Sequence, residues 1–324
     1  MGHSVERRAV RTALIGLFAG AVFAGAGASL ASAQETVRIG LATKTWFPSV
    51  VAAAAEQQGL FKKEGITAEL TIYQSGAEAF TAIAANAADV VSTSPNIIAT
   101  GRVRGVNAKM VAMGGSGNFG WQVLVPTKST IKDPAELAGK KVGITSAGSL
   151  SDSLAKWTTA KYGANFTTVP LGGGLAPNLI NGGVDAAVVY SPLSYKILQE
   201  SNGRSLLDFG TAMPAHLNSG WAASDKFITD KTPLLKKTVK ALLAGVVYLQ
   251  ENRAEAVKLI AETNGVSEAV ATQEYENVFL KLSRTGEMTL ADVEQAFELY
   301  RLGGLKELPA AADVFTDVAV SSGK

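Results

Sequence analysis

From residue 36 onward, short apolar runs rich in β-branched side chains alternate with stretches whose apolar positions recur at helical spacing. The pattern predicts strands over 37–41, 67–73, 89–92 and 108–113, with helices over 48–59, 77–86 and 95–101 between them. Alternation of this kind marks α/β layers around a largely parallel sheet, because parallel strands need a crossover helix to connect them. The same order returns in the middle of the chain, with strands over 141–145, 166–171 and 185–190 and helices over 151–162 and 175–181. The helix-to-strand joints also correspond: 86–91 and 181–189 both place a polar turn and an aspartate, Asp89 or Asp185, ahead of an apolar strand. Two copies of one α/β unit are therefore expected.

Between the units, Asp133-Pro134-Ala135-Glu136 reads as a helix start in which Asp133 caps, Pro134 suits the first turn and Glu136 reaches back. The last third is helical over 233–251, 253–262, 267–282 and 290–302, the final helix capped by Thr289 with Asp292 three residues on. This tail is expected to return and cover the first unit. The chain would then form two α/β lobes, 34–124 plus 223–324 and 125–222, joined by two crossovers near 123–127 and 220–223. Paired crossings are the ordinary covalent basis of a hinge that closes over a ligand.

The first 33 residues differ from the rest. Arg7, Arg8 and Arg11 precede an uncharged apolar stretch over 13–30, and Ala31-Ser32-Ala33 offers a small-residue cleavage site, so a signal peptide cleaved after Ala33 is expected. A membrane anchor is the other reading of such a run, but this one is diluted with Gly and Ala and barely long enough to span. Across 324 residues, 47% are apolar and 18% charged, which is a globular composition. With Arg7, Arg8, Arg11 and Glu6 set aside, the 30 basic and 28 acidic residues leave a chain of zero net charge. Such a chain has no basic field to attract nucleic acid, and no nucleic-acid partner is expected. The absence of cysteine excludes disulfides, thiol nucleophiles and thiolate metal sites, and with them a lipid-modified cysteine. Of two histidines, His3 leaves with the signal and His216 stands alone, which makes neither a metal site nor a triad. No catalytic residue, metal or cofactor is expected.

Several segments carry a family resemblance. The first strand is followed by Trp46-Phe47-Pro48 and by Glu56-Gln57-Gln58-Gly59-Leu60-Phe61-Lys62-Lys63-Glu64-Gly65-Ile66. Later come Ala88-Asp89-Val90-Val91, then Asp133-Pro134-Ala135-Glu136-Leu137-Ala138-Gly139-Lys140-Lys141-Val142-Gly143, then Val184-Asp185-Ala186-Ala187-Val188-Val189-Tyr190-Ser191-Pro192. In this order they resemble the solute-binding proteins of ABC importers of the nitrate, taurine and alkanesulfonate type, a group that includes thiamine-precursor binders. The resemblance implies a type 2 periplasmic binding protein fold, a periplasmic location, and capture of a small anionic organic solute by hinge closure. It also implies delivery to an ABC permease in the inner membrane, and a monomer is expected. Yeast thiamine-precursor synthases look similar but depend on a cysteine-rich motif and a histidine, and this chain has no cysteine. Two alternatives stay open: an enzyme of this fold acting on a pyrimidine or chorismate-derived compound, and a sensor subunit that presents ligand to a membrane kinase.

In open α/β sheets ligands sit beyond the C-terminal ends of the strands. The residues there are Thr43, Lys44, Trp46 and Phe47 after the first strand, Gly76 and Ala77 after the second, and Ser94 and Asn96 after the third. Asn118 and Phe119 follow the fourth, and the second unit supplies Ser146, Gly148, Ser149, Gly173 and Tyr190. Small and hydroxyl-bearing loops that feed helix N-termini offer free N–H groups to an anion without an arginine. Ser149 reads equally as a helix cap, and Ser94 and Asn96 flank Pro95 where capping serves as well. Lys44 is the one basic residue in these loops, a counter-ion or a solvated lysine. Trp46, Phe47, Phe119, Trp121, Tyr190 and Trp221 either wall a cleft or fill the core, Trp221 lying on the expected second crossover. Gly172-Gly173-Gly174 lacks the lysine and hydroxyl of a phosphate loop and reads as a turn that lets backbone approach a ligand.

Overall fold

The computed structural model describes residues 34–320; the expected signal peptide lies outside the described residues. The chain begins with β1 (Glu35–Leu41), α1 (Phe47–Gln57), α2 (Leu60–Lys63), β2 (Ile66–Ile72), α3 (Gly76–Ala84), β3 (Val90–Thr93), α4 (Pro95–Val103) and β4 (Ala108–Ser116). It continues through β5 (Gln122–Pro126), β6 (Lys141–Ile144), α5 (Leu150–Tyr162), β7 (Thr167–Pro170), α6 (Leu175–Ile180), β8 (Ala186–Val189), α7 (Leu193–Gln199), β9 (Gly203–Asp208) and α8 (Phe209–Ala212). It ends with β10 (Leu217–Ser224), α9 (Asp225–Asp230), α10 (Thr232–Glu251), α11 (Arg253–Asn264), α12 (Glu268–Asn277) and α13 (Leu290–Leu302).

Two five-stranded sheets result, in the orders β2-β1-β3-β10-β4 and β7-β6-β8-β5-β9. In the first, β1 runs parallel to β2 and β3 while β10 is antiparallel to β3 and β4. In the second, β6 runs parallel to β7 and β8 while β5 is antiparallel to β8 and β9. The antiparallel strand of each sheet is the one that arrives directly from the other lobe.

The repeated unit is visible down to single hydrogen bonds. The Arg38 N–H donates to the Asp89 carboxylate at 2.8 Å and the Asp89 N–H returns to the Arg38 carbonyl at 2.9 Å. Lys141 and Asp185 make the same pair of bonds, at 2.8 and 2.9 Å. Each aspartate thus satisfies a donor of a central strand one residue before the next parallel strand pairs with it. Gly40 and Gly143 hold equivalent places two residues on, beside Val91 and Ala187.

The crossings differ from expectation. Residues 123–125 and 220–223 are buried ladder positions in β5 and β10, and the chain instead crosses at 117–121 and 209–216. Apolar runs such as Val123-Leu124-Val125 are more stable buried on both faces of a sheet than strung between lobes. The two crossings bond to each other, through the Gly117 N–H to the His216 carbonyl at 2.9 Å and the Phe209 N–H to the Trp121 carbonyl at 3.0 Å.

Thr289 and Asp292 form the expected reciprocal cap, with bonds of 3.2 and 2.8 Å. Asp133 accepts from the Ala135 N–H and Glu136 from the Lys132 N–H as anticipated, but they frame only a short 3-10 turn, Pro134–Leu137. The helix expected over 267–282 stops at Asn277, because the carbonyls of Phe279 and Leu282 turn to accept from the Gln250 side chain at 2.8 and 3.1 Å. The C-terminal helices cover the first lobe, with α10 on α1 and α13 on α4 and β10. They also reach the second, where α12 meets α7 and α13 meets α5. Among the described residues no helix is long and apolar enough to cross a membrane, and no group of three His, Asp or Glu side chains is placed to hold a metal.

Candidate functional site

Three helices of the two lobes begin at one place. The N-caps of α3, α4 and α5 are Ser75, Ser94 and Ser149, each directly after a strand end or its loop. Ser75 Oγ accepts from the Glu78 N–H at 3.1 Å and Ser149 Oγ from the Asp152 N–H at 3.3 Å, so both serines are true caps. Ser94 is not; its hydroxyl donates to Asn96 Oδ1 at 2.6 Å, and α4 starts without a side-chain cap. First-turn residues of all three helices, Gly76, Ile97 and Leu150, line the space between lobes, with the positive ends of the helix dipoles behind them.

That space is a cavity lined by Thr43, Trp46, Ser75, Gly76, Ser94, Ser149 and Tyr190, with Ala42, Thr93, Ile97, Trp121, Thr145 and Leu150. No charged side chain lines it among the described residues. Its polar groups are hydroxyls held in place by others: Thr145 Oγ1 donates to Ser149 Oγ at 2.9 Å, and Ser151 Oγ accepts from the Thr145 N–H at 2.9 Å. Thr43 Oγ1 is buried with no partner. Opposite the hydroxyls, Trp121 stands edge-on to Trp46 with ring centroids 6.3 Å apart and tilted against Tyr190 at 5.4 Å. The result is an apolar wall facing a donor-rich floor, the composition of a site for a small organic molecule with one strongly accepting end.

The rim is closed by contacts between lobes. Thr45 Oγ1 meets the Tyr190 hydroxyl at 2.9 Å, Ser146 Oγ donates to Ser75 Oγ at 2.9 Å, and Asn96 Nδ2 donates to the Gly148 carbonyl at 3.2 Å and to Ser153 Oγ at 2.9 Å. Asp152 holds the Gly148 loop by accepting from its N–H, and from Lys156, at 2.8 Å each.

Of the candidate residues, the fold therefore brings Thr43, Trp46, Gly76, Ser94, Ser149 and Tyr190 to the cavity, and Ser146, Asn96 and Gly148 to its rim. Gly173 is exposed on the second lobe opposite Gln74 of the first, and Ala77 sits half-buried in the first turn of α3. Lys44 points to solvent and lines no part of the cavity. Trp221, 2% exposed, is fixed inside the first sheet between Ser92 and Ala112. Phe47 packs edge-on behind Trp46 at 5.0 Å. Phe119 lies outside this cavity under Lys281. Asn118 belongs to the crossings, donating to His216 Nε2 at 3.3 Å and accepting from Asn218. Burial lowers the His216 pKa, partly offset by the ring's Nδ1 bond to the Pro214 carbonyl at 2.8 Å.

Six lining residues stand outside the candidate set, among them Ser75, Thr145, Ile97 and Leu150, while Trp121, read as cleft wall or core, takes the cleft. Ser75 is the cap itself, and Ile97 and Leu150 are first-turn residues, so counting each helix's cap and first turn as one unit would have found them.

Residues 48–256 match the family described as NMT1/THI5 like. The chain is 26% identical, over 287 residues, to a Bacillus subtilis (strain 168) protein named for binding aliphatic sulfonates, a match that covers 85% of this chain and 83% of that one. The architecture is that of the periplasmic binding proteins. It superposes on the alkanesulfonate-binding protein SsuA from Xanthomonas axonopodis pv. citri, solved with MOPS, at a TM-score of 0.73 and 20% identity, over 86% of this chain and 98% of that one. A mutant of the desulfurization enzyme DszB in complex with biphenyl-2-sulfinic acid aligns as well, at a TM-score of 0.61 and 16% identity, over 88% of this chain and 98% of that one.

Proposed function

We propose, from the premise that this chain belongs to the NMT1/THI5-like family, that it is a non-catalytic solute-binding protein of an ABC importer. In this reading it is exported to the periplasm and closes over a small organic anion, a sulfonate or a carboxylate, which it presents to a permease. The observation that carries the reading is the convergence of three helix N-termini and their hydroxyls on one cavity without a charged side chain among its described lining residues. Such a floor stabilises an anion through N–H groups and helix dipoles, without a counter-ion. The indole and phenol walls favour an organic anion over a bare inorganic one. Sulfonates come first among the candidates because of the names of its relatives.

Nothing lining the cavity among the described residues resembles an acid–base pair: no histidine, carboxylate or lysine is among them. Nucleophilic chemistry through a thiol is closed to a chain without cysteine. These points favour binding over turnover.

A thermal-shift screen of residues 34–324, refolded to strip retained ligand, tests the proposal. The panel holds alkanesulfonates, taurine, nitrate, aromatic carboxylates and pyrimidines. An organic anion at a hundred times its Kd raises stability by about 2.7 kcal/mol. Stabilisation by neutral pyrimidines alone, or their chemical conversion by the protein, would overturn the reading.

A further inference from the structure

A second cavity adjoins the first, and the two share Trp46 and Trp121 as lining residues. The edge-on indole pair borders both. The second chamber is unlike the first in charge. Lys281 lines it, lies 4.0 Å from the centroid of the Phe119 ring, and is the one charged side chain lining either cavity among the described residues. No carboxylate pairs with Lys281 among the described ion pairs. Ser219, fully buried in β10, lines the same chamber with a hydroxyl that has no hydrogen-bond partner.

A buried hydroxyl without a partner costs free energy that a bound acceptor would recover. A lysine held on an aromatic face and free of carboxylates is a preset receptor for an anion. We infer that this second chamber beside Trp46 and Trp121 is a second subsite, which takes a terminal carboxylate of the ligand on Lys281 and Ser219. The preferred solute is then an organic anion with two acidic ends: one sits among the helix N-termini, its chain passes the indole pair, and its second acidic group reaches the lysine. This inference rests on the organic-anion reading and narrows it to a class.

Calorimetric titration with two homologous series separates the two ideas. One runs from ethanesulfonate to hexanesulfonate; the other carries the same chains ended by a carboxylate. In the wild-type protein at least one member of the second series binds tenfold or more tighter than its plain counterpart, about 1.4 kcal/mol. Lys281→Met abolishes that gain and leaves the plain series unchanged; Ser219→Ala reduces it. Lys281 is exposed, so its variant folds. Plain sulfonates that bind with no gain from the carboxylate, or a gain that survives in Lys281→Met, overturn the second subsite alone. Binding of neither series overturns the subsite and, with it, the sulfonate form of the organic-anion reading.

Discussion

The hydroxyl oxygens of Ser75 and Ser146, 71 residues apart in sequence, lie 2.9 Å from each other across the mouth of the cleft. One belongs to each lobe, so the bond exists only while the lobes are closed. A ligand that binds the closed state shares in its free energy. Ser146 does not line the cavity, which makes Ser146→Ala a clean probe of closure. The variant should lose about 0.5–1.5 kcal/mol of closed-state stability and bind ligand about two- to tenfold more weakly, with unchanged thermal melting of the free protein. Titration calorimetry reads the affinity, and an unaltered Kd would show that the contact contributes nothing to closure.

Thr43 Oγ1 has the opposite signature, being buried at the cavity without a partner. Thr43→Val keeps the shape and removes the orphan. Free of ligand, the variant should be as stable as the wild type or slightly more so. Its affinity should fall by about 1–2 kcal/mol where the ligand accepts from or donates to this hydroxyl. Equal affinity in both proteins would exclude Thr43 as a contact.

Glu274 of α12 is fully buried beside Ser191 and near Tyr195 of α7 on the second lobe. Neither carboxyl oxygen makes a hydrogen bond of ordinary geometry, and burial pushes its pKa up to about 8, only partly offset by the Ser191 hydroxyl. Between the usual carboxylate range and about pH 8 the folded protein holds a proton that the unfolded chain releases. Stability contributed by the neutral form is therefore fully present below about pH 4.5 and is lost progressively as the pH rises towards about 8. Glu274→Gln should flatten that slope, leaving stability near wild type at low pH and higher than wild type above about pH 8. Urea denaturation across the pH range measures it, and parallel slopes in the two proteins would contradict the assignment.

Gly120 lies in the first crossing at φ +76°, where a Cβ would overlap the Ser191 hydroxyl. Its carbonyl accepts from Ser194 Oγ at 2.7 Å, which ties the crossing to α7. Gly120→Ala should cost at least about 2 kcal/mol, from left-handed strain together with the clash. Gly105, at φ +82° with open space around its absent Cβ, supplies the control. Its alanine variant should lose only about 1 kcal/mol. Denaturant midpoints that agree for the two variants would remove the clash from the account.

The sequence by itself determined the local order. The periodicity placed β1, α1, β6 and α5 within a residue or two of their observed bounds. The Asp89 and Asp185 joints announced a repeated unit, and Thr289 with Asp292 announced a helix start. These features depend on neighbours a few residues away, so side-chain period and capping chemistry suffice to reveal them.

What only the tertiary structure decided is which residues share a space. Trp121 and Trp221 both read as aromatics near a crossing, yet Trp121 lines both cavities while Trp221 is sealed between Ser92 and Ala112. Lys44 stands in a cleft loop and lines neither cavity, whereas Lys281, from the helical tail, lies over Phe119 and lines the second. Strand membership followed the same rule, since β5 and β10 join the sheet of the lobe they enter. Each outcome rests on pairings between residues far apart in the chain, and those are selected by burial and hydrogen-bond satisfaction over the whole fold, which no local period encodes.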